Sequence, residues 1–243
     1  KKIAEISFLM NTLLEKNFFV EYWINFLDLI EDVAFNDLKL NKTFLVVFDV
    51  RPLLHKVIEK SGYLFSKKMK NRYNFKNEKY NILHYVKYPE KISFDLATMD
   101  DINIFFEWAN EKETRENSFN NKEIFYDEHK NWYTSKINNE KNIFLVFKFN
   151  DDPFGQVRLE PFDKKNYIVG ISLSHKYRSK GLASVILKLA TDYFFNKFKG
   201  YNLLAEIKSG NDKSIKVFEN VGFKFFNYLI KNNHNALVYE KKN

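Results

Sequence analysis

The sequence contains no cysteine, and this absence excludes several kinds of chemistry at once. No disulfide can form, and no thiolate can act as a nucleophile or as a metal ligand. The lack of disulfides fits a cytoplasmic protein, which is our expectation. Glycine and proline are also scarce, with 7 and 4 residues among 243. A glycine at the start of a predicted helix is therefore informative, because glycine allows conformations and close approaches that other residues do not.

Long uninterrupted apolar runs are missing as well. The most apolar N-terminal stretch is IAEISFLMNTLLEKNFFVEYWINFLDLI, residues 3–30, and it is broken by Glu5, Asn11, Glu15 and Lys16. We therefore predict buried structure there rather than a signal peptide or a membrane span. Hydrophobic residues make up 45% of the chain and aromatic residues 18%, which is enough for a packed core.

The net charge of +8 suggests acidic partners only weakly, because lysine and asparagine are abundant throughout the chain. The one basic cluster is SKKMKNR, residues 66–72, and no zinc-finger or RNA-binding signature is present. We predict neither a nucleic-acid partner nor a metal site. The charge also suits a phosphorylated small ligand.

One glycine lies in a basic turn between a predicted strand and a predicted helix. YIVGISLS, residues 167–174, is apolar and rich in β-branched residues, which indicates a strand. Apolar residues then recur at helical spacing from Leu182. The N–H groups at a helix start converge on an anion, and Gly181 lets the backbone approach that anion without a Cβ. The turn therefore predicts a pyrophosphate cradle, with added charge from Arg178 and Lys180.

Three segments resemble the Gcn5-related N-acetyltransferases. RSKGLA, residues 178–183, fits the family's acyl-CoA motif [RQ]xxGx[GA]. NLLAEIKSGNDKSIKVFENVGFKFF, residues 202–226, is similar to the family's next strand, its Asn-x-x-Ser helix and its Gly-Phe ending. ISFDLATMDDINIFFEWANEKETRENSF, residues 92–119, resembles the first strand and helix. The resemblance implies an α/β (α+β) fold over residues 91–243, with a mixed, strongly twisted sheet, flanking helices and acetyl-CoA as the acyl donor.

The resemblance also implies which residues hold acetyl-CoA. The strand that ends at Ser174 should splay from its neighbour, so that its free backbone groups pair with the pantetheine amides. The N–H of Leu173 is expected to face the thioester oxygen and to stabilise the oxyanion. The cofactor-binding candidates are Ser172, Leu173, Ser174, Arg178, Ser179, Lys180, Gly181, Leu182, Ala183, Asn211, Ser214 and Phe218.

The expected proton transfers involve one of two carboxylates, and at one position the sequence departs from the family pattern. The acceptor amine must be neutral to attack, and either Glu160 or Glu206 is a candidate to take its proton. Both can equally be solvated surface charges. Many family members place a tyrosine at the position of Phe218 to protonate the leaving thiolate. Phe218 has no hydroxyl, so either another group or water must protonate the thiolate, or the enzyme relies mainly on positioning of the reactants.

The segment 108–137 spans the two helices that wall the acceptor site in this family. Its pattern resembles acetyltransferases that act on nucleotide-linked amino sugars. The chemistry agrees with this resemblance, since a guanidinium suits phosphate and aromatic rings suit stacking. The substrate candidates are Arg115, Asn117, Ser118, His129 and Trp132, alongside Trp108 and Asn110. The alternatives are core positions for the tryptophans, an ion pair for Arg115 and a bond from His129 to a carbonyl.

Three classes of function stay open at this stage. The expected one is N-acetylation of a small-molecule amine, with a nucleotide-linked amino sugar as acceptor. The second is N-terminal acetylation of peptides, of the ribosomal-protein type. The third is a non-catalytic acyl-CoA-binding module. A homodimer is left open.

The first 90 residues contain a segment that is similar in sequence to the C-terminal part of the chain. HKVIEKSGYLFSKKM, residues 55–69, is similar to IKVFENVGFKFFNYL, residues 215–229. We therefore predict two domains, 1–90 and 91–243, joined near YPE at 88–90. The first would be a degenerate, truncated lobe of the same fold without its own cofactor, covering one edge of the active lobe's sheet. An unrelated helical extension is the alternative.

Overall fold

A computed structural model of the chain describes residues 2–8, 12–75, 77–89 and 91–242. The chain divides into two compact units, residues 1–91 and 92–243. Within the described ranges, no helix is both long and apolar enough to cross a membrane.

The N-terminal unit is a four-stranded sheet with two helices. Its elements are β1 (Ile3–Glu5), α1 (Thr12–Asp32), β2 (Lys42–Phe48), α2 (Pro52–Lys60), β3 (Leu64–Phe75) and β4 (Glu78–Lys87). The strand order is β1-β2-β4-β3, in which β1 runs parallel to β2 and the other pairs are antiparallel. Buried side chains alternate along β2, so one face of the sheet packs on a core that contains Trp23, Leu27 and Ile58.

The second unit is a seven-stranded mixed sheet with flanking helices. Its strands are β5 (Ile92–Leu96), β6 (Ile143–Phe149), β7 (Asp152–Pro161), β8 (Asn166–Leu173), β9 (Asn202–Lys208), β10 (Lys224–Lys231) and β11 (His234–Lys241). Its helices are α3 (Ile102–Asn110), α4 (Lys112–Asn117), α5 (Tyr126–Ile137), α6 (Leu182–Lys197) and α7 (Asp212–Asn220). The strand order is β10-β11-β9-β8-β7-β6-β5, and β8 and β9 form its parallel pair. The predicted fold class is confirmed.

The N-terminal unit has the topology of the last four strands of the second unit. The order β1-β2-β4-β3 matches β8-β9-β11-β10, with the same parallel and antiparallel pairings. The starts of β2, α2 and β3 have the same spacing as the starts of β9, α7 and β10. The turns after α2 and α7 also agree, because Gly62 and Gly222 both have positive φ, +81° and +97°. This agreement supports the predicted half-lobe, which stays a proposal about the unit's origin.

Candidate active site

The central strands part where the sequence predicted a splay. β8 pairs with β7 as far as Leu173, but it pairs with β9 only from Asn166 to Ile168. The N–H of Ser174 donates to the carbonyl of Phe154 at 2.9 Å, on the β7 side. Because successive residues of a strand present their N–H groups to opposite edges, the N–H of Leu173 points into the opening.

The turn after β8 ends in an uncapped helix start beside this opening. Gly181 has φ +88° and Ser179 has φ +59°, both in the left-handed region. α6 begins at Leu182, directly after Gly181, and no side chain caps its first N–H groups. These N–H groups and the positive end of the helix dipole are therefore available to an anion.

The predicted cofactor residue Arg178 is held by carboxylates of the second unit. Its Nη1 donates to Glu113 at 3.1 Å, its Nη2 donates to Glu111, and its Nε donates to the carbonyl of Leu173 at 3.0 Å. Glu111 also accepts the N–H of His175 at 3.0 Å. Arg178 thus fixes the loop to the start of α4, and two carboxylates balance its charge. The predicted contact between its side chain and a phosphate stays a prediction.

A cavity of about 900 Å³ runs from this loop to the helices α4 and α5. The splayed strands β8 and β9, the start of α6 and the helix α7 form its walls at one end. The predicted cofactor residues among its lining are Ser172, Leu173, Arg178, Ser179, Gly181, Leu182, Ala183, Asn211, Ser214 and Phe218. Ser174 and Lys180 are not among the residues that line it.

The helix α7 closes the cofactor end of the cavity. Asn211 caps this helix, since its side-chain oxygen accepts the N–H of Ser214 at 3.1 Å. Phe218 is only 3% exposed and packs edge to face on Phe223, with ring centroids 5.0 Å apart. Phe218 therefore presents an apolar wall where the family pattern has a hydroxyl.

The predicted substrate residues on α4 mostly bond to their own segment. Arg115 donates to the carbonyls of Asn120 and Lys122 at 3.2 and 3.3 Å and to the hydroxyl of Ser118 at 2.9 Å. Asn117 donates to the carbonyl of Glu113 at 2.8 Å. All three predicted residues line the cavity, and the Nε of Arg115 is buried there without a partner.

The predicted substrate residues on α5 line the same end of the cavity. His129 is 2% exposed, and its Nε2 bonds to the carbonyl of Ile102 at 3.0 Å, so this nitrogen carries the proton. Burial holds the pKa of His129 below its ordinary value. Trp132 is half-buried and lines the cavity, whereas Trp108 is a core residue and Asn110 bonds to the backbone of Ile124.

The two predicted general bases occupy different positions. Glu206 lines the cavity, is 11% exposed at its side chain and forms an ion pair with Lys231 at 2.5 Å. Glu160 is not a lining residue, and it forms an ion pair with Lys136 at 2.7 Å. The structure therefore favours Glu206 of the two, while its role as a base stays a prediction.

The lining residues that were not predicted from the sequence include Gln156 and Arg158 on β7. In the pairing of β7 with β8, Gln156 lies opposite Ser172 and Arg158 lies opposite Gly170. The side-chain oxygen of Gln156, the Nε of Arg158 and the hydroxyl of Ser172 are all buried and have no hydrogen-bond partner among the residues that the structure describes. A buried polar group left without any partner costs about 1–3 kcal/mol, so three in one wall favour partners inside the cavity, from a ligand or from ordered water. The detectable signal was polar residues at alternate positions of an otherwise buried strand.

The fold and the site together define an acyl-CoA-dependent acyltransferase. Residues 92–224 match the model of the acetyltransferase (GNAT) domain, so the chain belongs to this family and is an N-acetyltransferase that uses acetyl-CoA. No curated protein matches the chain in sequence.

Solved structures share the fold at low sequence identity. A spermidine N-acetyltransferase from Vibrio cholerae, in complex with CoA and spermine, has a TM-score of 0.56 and 16% identity over 62% of this chain and 94% of that one. An aminoglycoside acetyltransferase in complex with coenzyme A has a TM-score of 0.55 and 16% identity, over 63% and 95%. A GNAT-family acetyltransferase from Bacillus anthracis has a TM-score of 0.55 and 17% identity, over 63% and 95%.

The residues present fit acetyl-CoA, which supplies an acetyl group as an activated thioester. The uncapped N–H groups that follow Gly181 suit its pyrophosphate. The opening between β8 and β9 leaves backbone groups free to bond an extended amide chain as an added strand. Leu173 and Glu206 both line this cavity, and their expected roles as oxyanion donor and general base stay predictions.

Proposed function

We propose that the enzyme acetylates the amine of a nucleotide-linked amino sugar. The charge of the cavity walls carries this proposal, since six Lys or Arg residues and three Glu residues line it. Glu113 forms an ion pair with Lys213 at 2.9 Å, and Glu206 is paired with Lys231. The uncompensated charge is therefore positive, which suits an acceptor that carries a phosphate.

The acceptor end adds chemistry that suits a sugar and its diphosphate. Arg115 keeps its Nε unbonded, and Trp132 offers a ring at the same end of the cavity. Asn117 and Ser118 supply amide and hydroxyl groups beside them. Spermine, the amine named for one structural neighbour, is a polycation, and walls of this charge would repel it.

The test is release of CoA with a panel of acceptors. We expect turnover with a 4-amino sugar nucleotide and none with its 4-hydroxyl analogue, which has the same nucleotide diphosphate but lacks the amine. N-terminal peptides of ribosomal proteins, spermidine and an aminoglycoside complete the panel. Turnover of peptides or polyamines without turnover of any amino sugar would refute the proposal.

A further inference from the structure

The unbonded polar atoms of the second unit are concentrated in one place. Among the described residues of this unit, four buried side-chain atoms lack a hydrogen-bond partner, on Arg115, Gln156, Arg158 and Ser172. All four residues line the cavity of about 900 Å³. Buried polar groups are nearly always bonded, so a cluster of exceptions indicates bonds that a ligand completes.

Arg158 is the most exceptional member of this cluster. Its closest carboxylate oxygen in the described ranges, on Glu160, is 3.9 Å away, and that carboxylate is already bonded to Lys136 at 2.7 Å. The guanidinium lies over Trp132, with its carbon 5.2 Å from the ring centroid. A Cβ on Gly170 would come within 2.9 Å of its Nη2. The glycine therefore leaves room for the guanidinium to lie against β8.

A second guanidinium lines the same cavity. Burial lowers the pKa of Arg115, and the nearby positive charge of Arg158 lowers it further. Two like charges in one partly buried wall repel each other, and an anion between them would offset that repulsion. A guanidinium can offer two parallel N–H groups to a phosphate or a carboxylate.

The spacing along the strands separates two ends of the acceptor. Ser172 and Gln156 form one cross-strand pair, and Gly170 and Arg158 form the next pair on the same face. Successive pairs on one face are about 7 Å apart. Ser172 is adjacent to Leu173, whose N–H points into the opening, so the first pair lies closer to the reaction centre.

We propose that Arg158, with Arg115, binds the anionic group of the acceptor, while Gln156 and Ser172 bind the polar groups beside its amine. The acceptor would then carry its anion roughly 7 Å from the reacting end. This inference rests on the proposed function and narrows it: a pyranose with an amine and a phosphate at opposite ends of the ring satisfies this spacing. The anion itself can be a nucleotide diphosphate, a sugar phosphate or a carboxylate.

The test combines Arg158→Ala, Arg158→Met and Arg158→Lys with three forms of one amino sugar: the nucleotide, the 1-phosphate and the methyl glycoside, which lacks the anion. We expect Arg158→Ala to raise KM for the anionic forms by about 10- to 150-fold with little change in kcat. KM for the methyl glycoside and for acetyl-CoA should stay within about twofold of wild type, and Arg158→Lys should restore part of the loss. Arg72→Ala, an exposed arginine of the N-terminal unit, is the control.

A readout without activity separates binding from a structural role. Because the Nε of Arg158 is buried without a partner and another cation lies nearby, Arg158→Met should raise the unfolding midpoint of the free protein, by on the order of 2–4 °C. A fall in the midpoint would show that Arg158 stabilises the fold, and an unchanged KM for the anionic forms would also overturn the inference. Turnover of the 1-phosphate but not the nucleotide, with Arg158-dependent KM, would support the inference and refute the proposed function. Turnover of nucleotide-linked amino sugars with the same KM in Arg158→Ala as in wild type would support the proposed function and refute the inference about Arg158.

Discussion

Replacement of Gly181 by alanine should weaken acetyl-CoA binding more than it weakens the fold. At φ +88°, an alanine costs about 1–2 kcal/mol of backbone strain wherever it is placed. At position 181 the added Cβ also lies at the uncapped start of α6, in the wall of the cavity. Loss of one charge-assisted bond to a phosphate costs roughly 1.5–3 kcal/mol, which is about 10- to 150-fold in affinity.

Gly200→Ala provides a matched control for the strain. Gly200 has φ +80° in the turn between α6 and β9, and an added Cβ there meets nothing within 4 Å. Both variants should therefore lose similar stability in thermal unfolding, while calorimetry with acetyl-CoA should show a tenfold or greater loss of affinity in Gly181→Ala alone. Equal affinities in the two folded variants would mean that the pyrophosphate is not bound at this turn.

Three other changes test the remaining parts of the site. Phe218→Leu should keep most of the turnover, because Phe218 supplies no proton; a loss of several hundredfold with acetyl-CoA binding intact would assign it a positioning role. Glu206→Gln should lower kcat/KM by about 10²–10⁴-fold, as for loss of a general base, whereas Glu160→Gln, outside the cavity lining, should change it little; equal effects would refute this assignment. Burial, reinforced by Lys188, lowers the pKa of Lys241 to about 8. Between about pH 8 and 10.5, Lys241 is therefore protonated in the unfolded chain but not in the folded one. The free energy of unfolding, relative to that of Lys241→Met, should rise with pH across that window. A difference between the two proteins that does not change with pH would contradict the lowered pKa of Lys241.

The role of Arg178 could be judged only when its ion-pair partners, which lie far away in the sequence, were known. Arg178 belongs to the motif that predicted the cradle, but Glu111 and Glu113, more than sixty residues earlier in the chain, hold its guanidinium. The backbone of the turn is set by local residues, whereas the direction of a long side chain is set by whichever opposite charge the fold brings near. This is why the position of the loop was predictable and the use of Arg178 was not.

The sequence by itself determined the local elements of the cofactor site. The predicted strand 167–174 is observed as Asn166–Leu173, and the predicted helix begins at Leu182 after a glycine with positive φ. β-branched runs, helical spacing and a glycine turn act over a few residues, so one short segment contains all the information.

Only the tertiary structure decided which polar residues face the cavity. Alternation along β7 puts Gln156 and Arg158 on one face, but it does not say which face is open. The pairing of β7 with β8 brings them opposite Ser172 and Gly170, and α5 brings Trp132 against the guanidinium. The tertiary structure also left Glu160, on β7, outside the lining and brought Glu206, on β9, within it. These choices depend on contacts between segments far apart in the chain, whose register follows from packing of the whole sheet rather than from any local pattern.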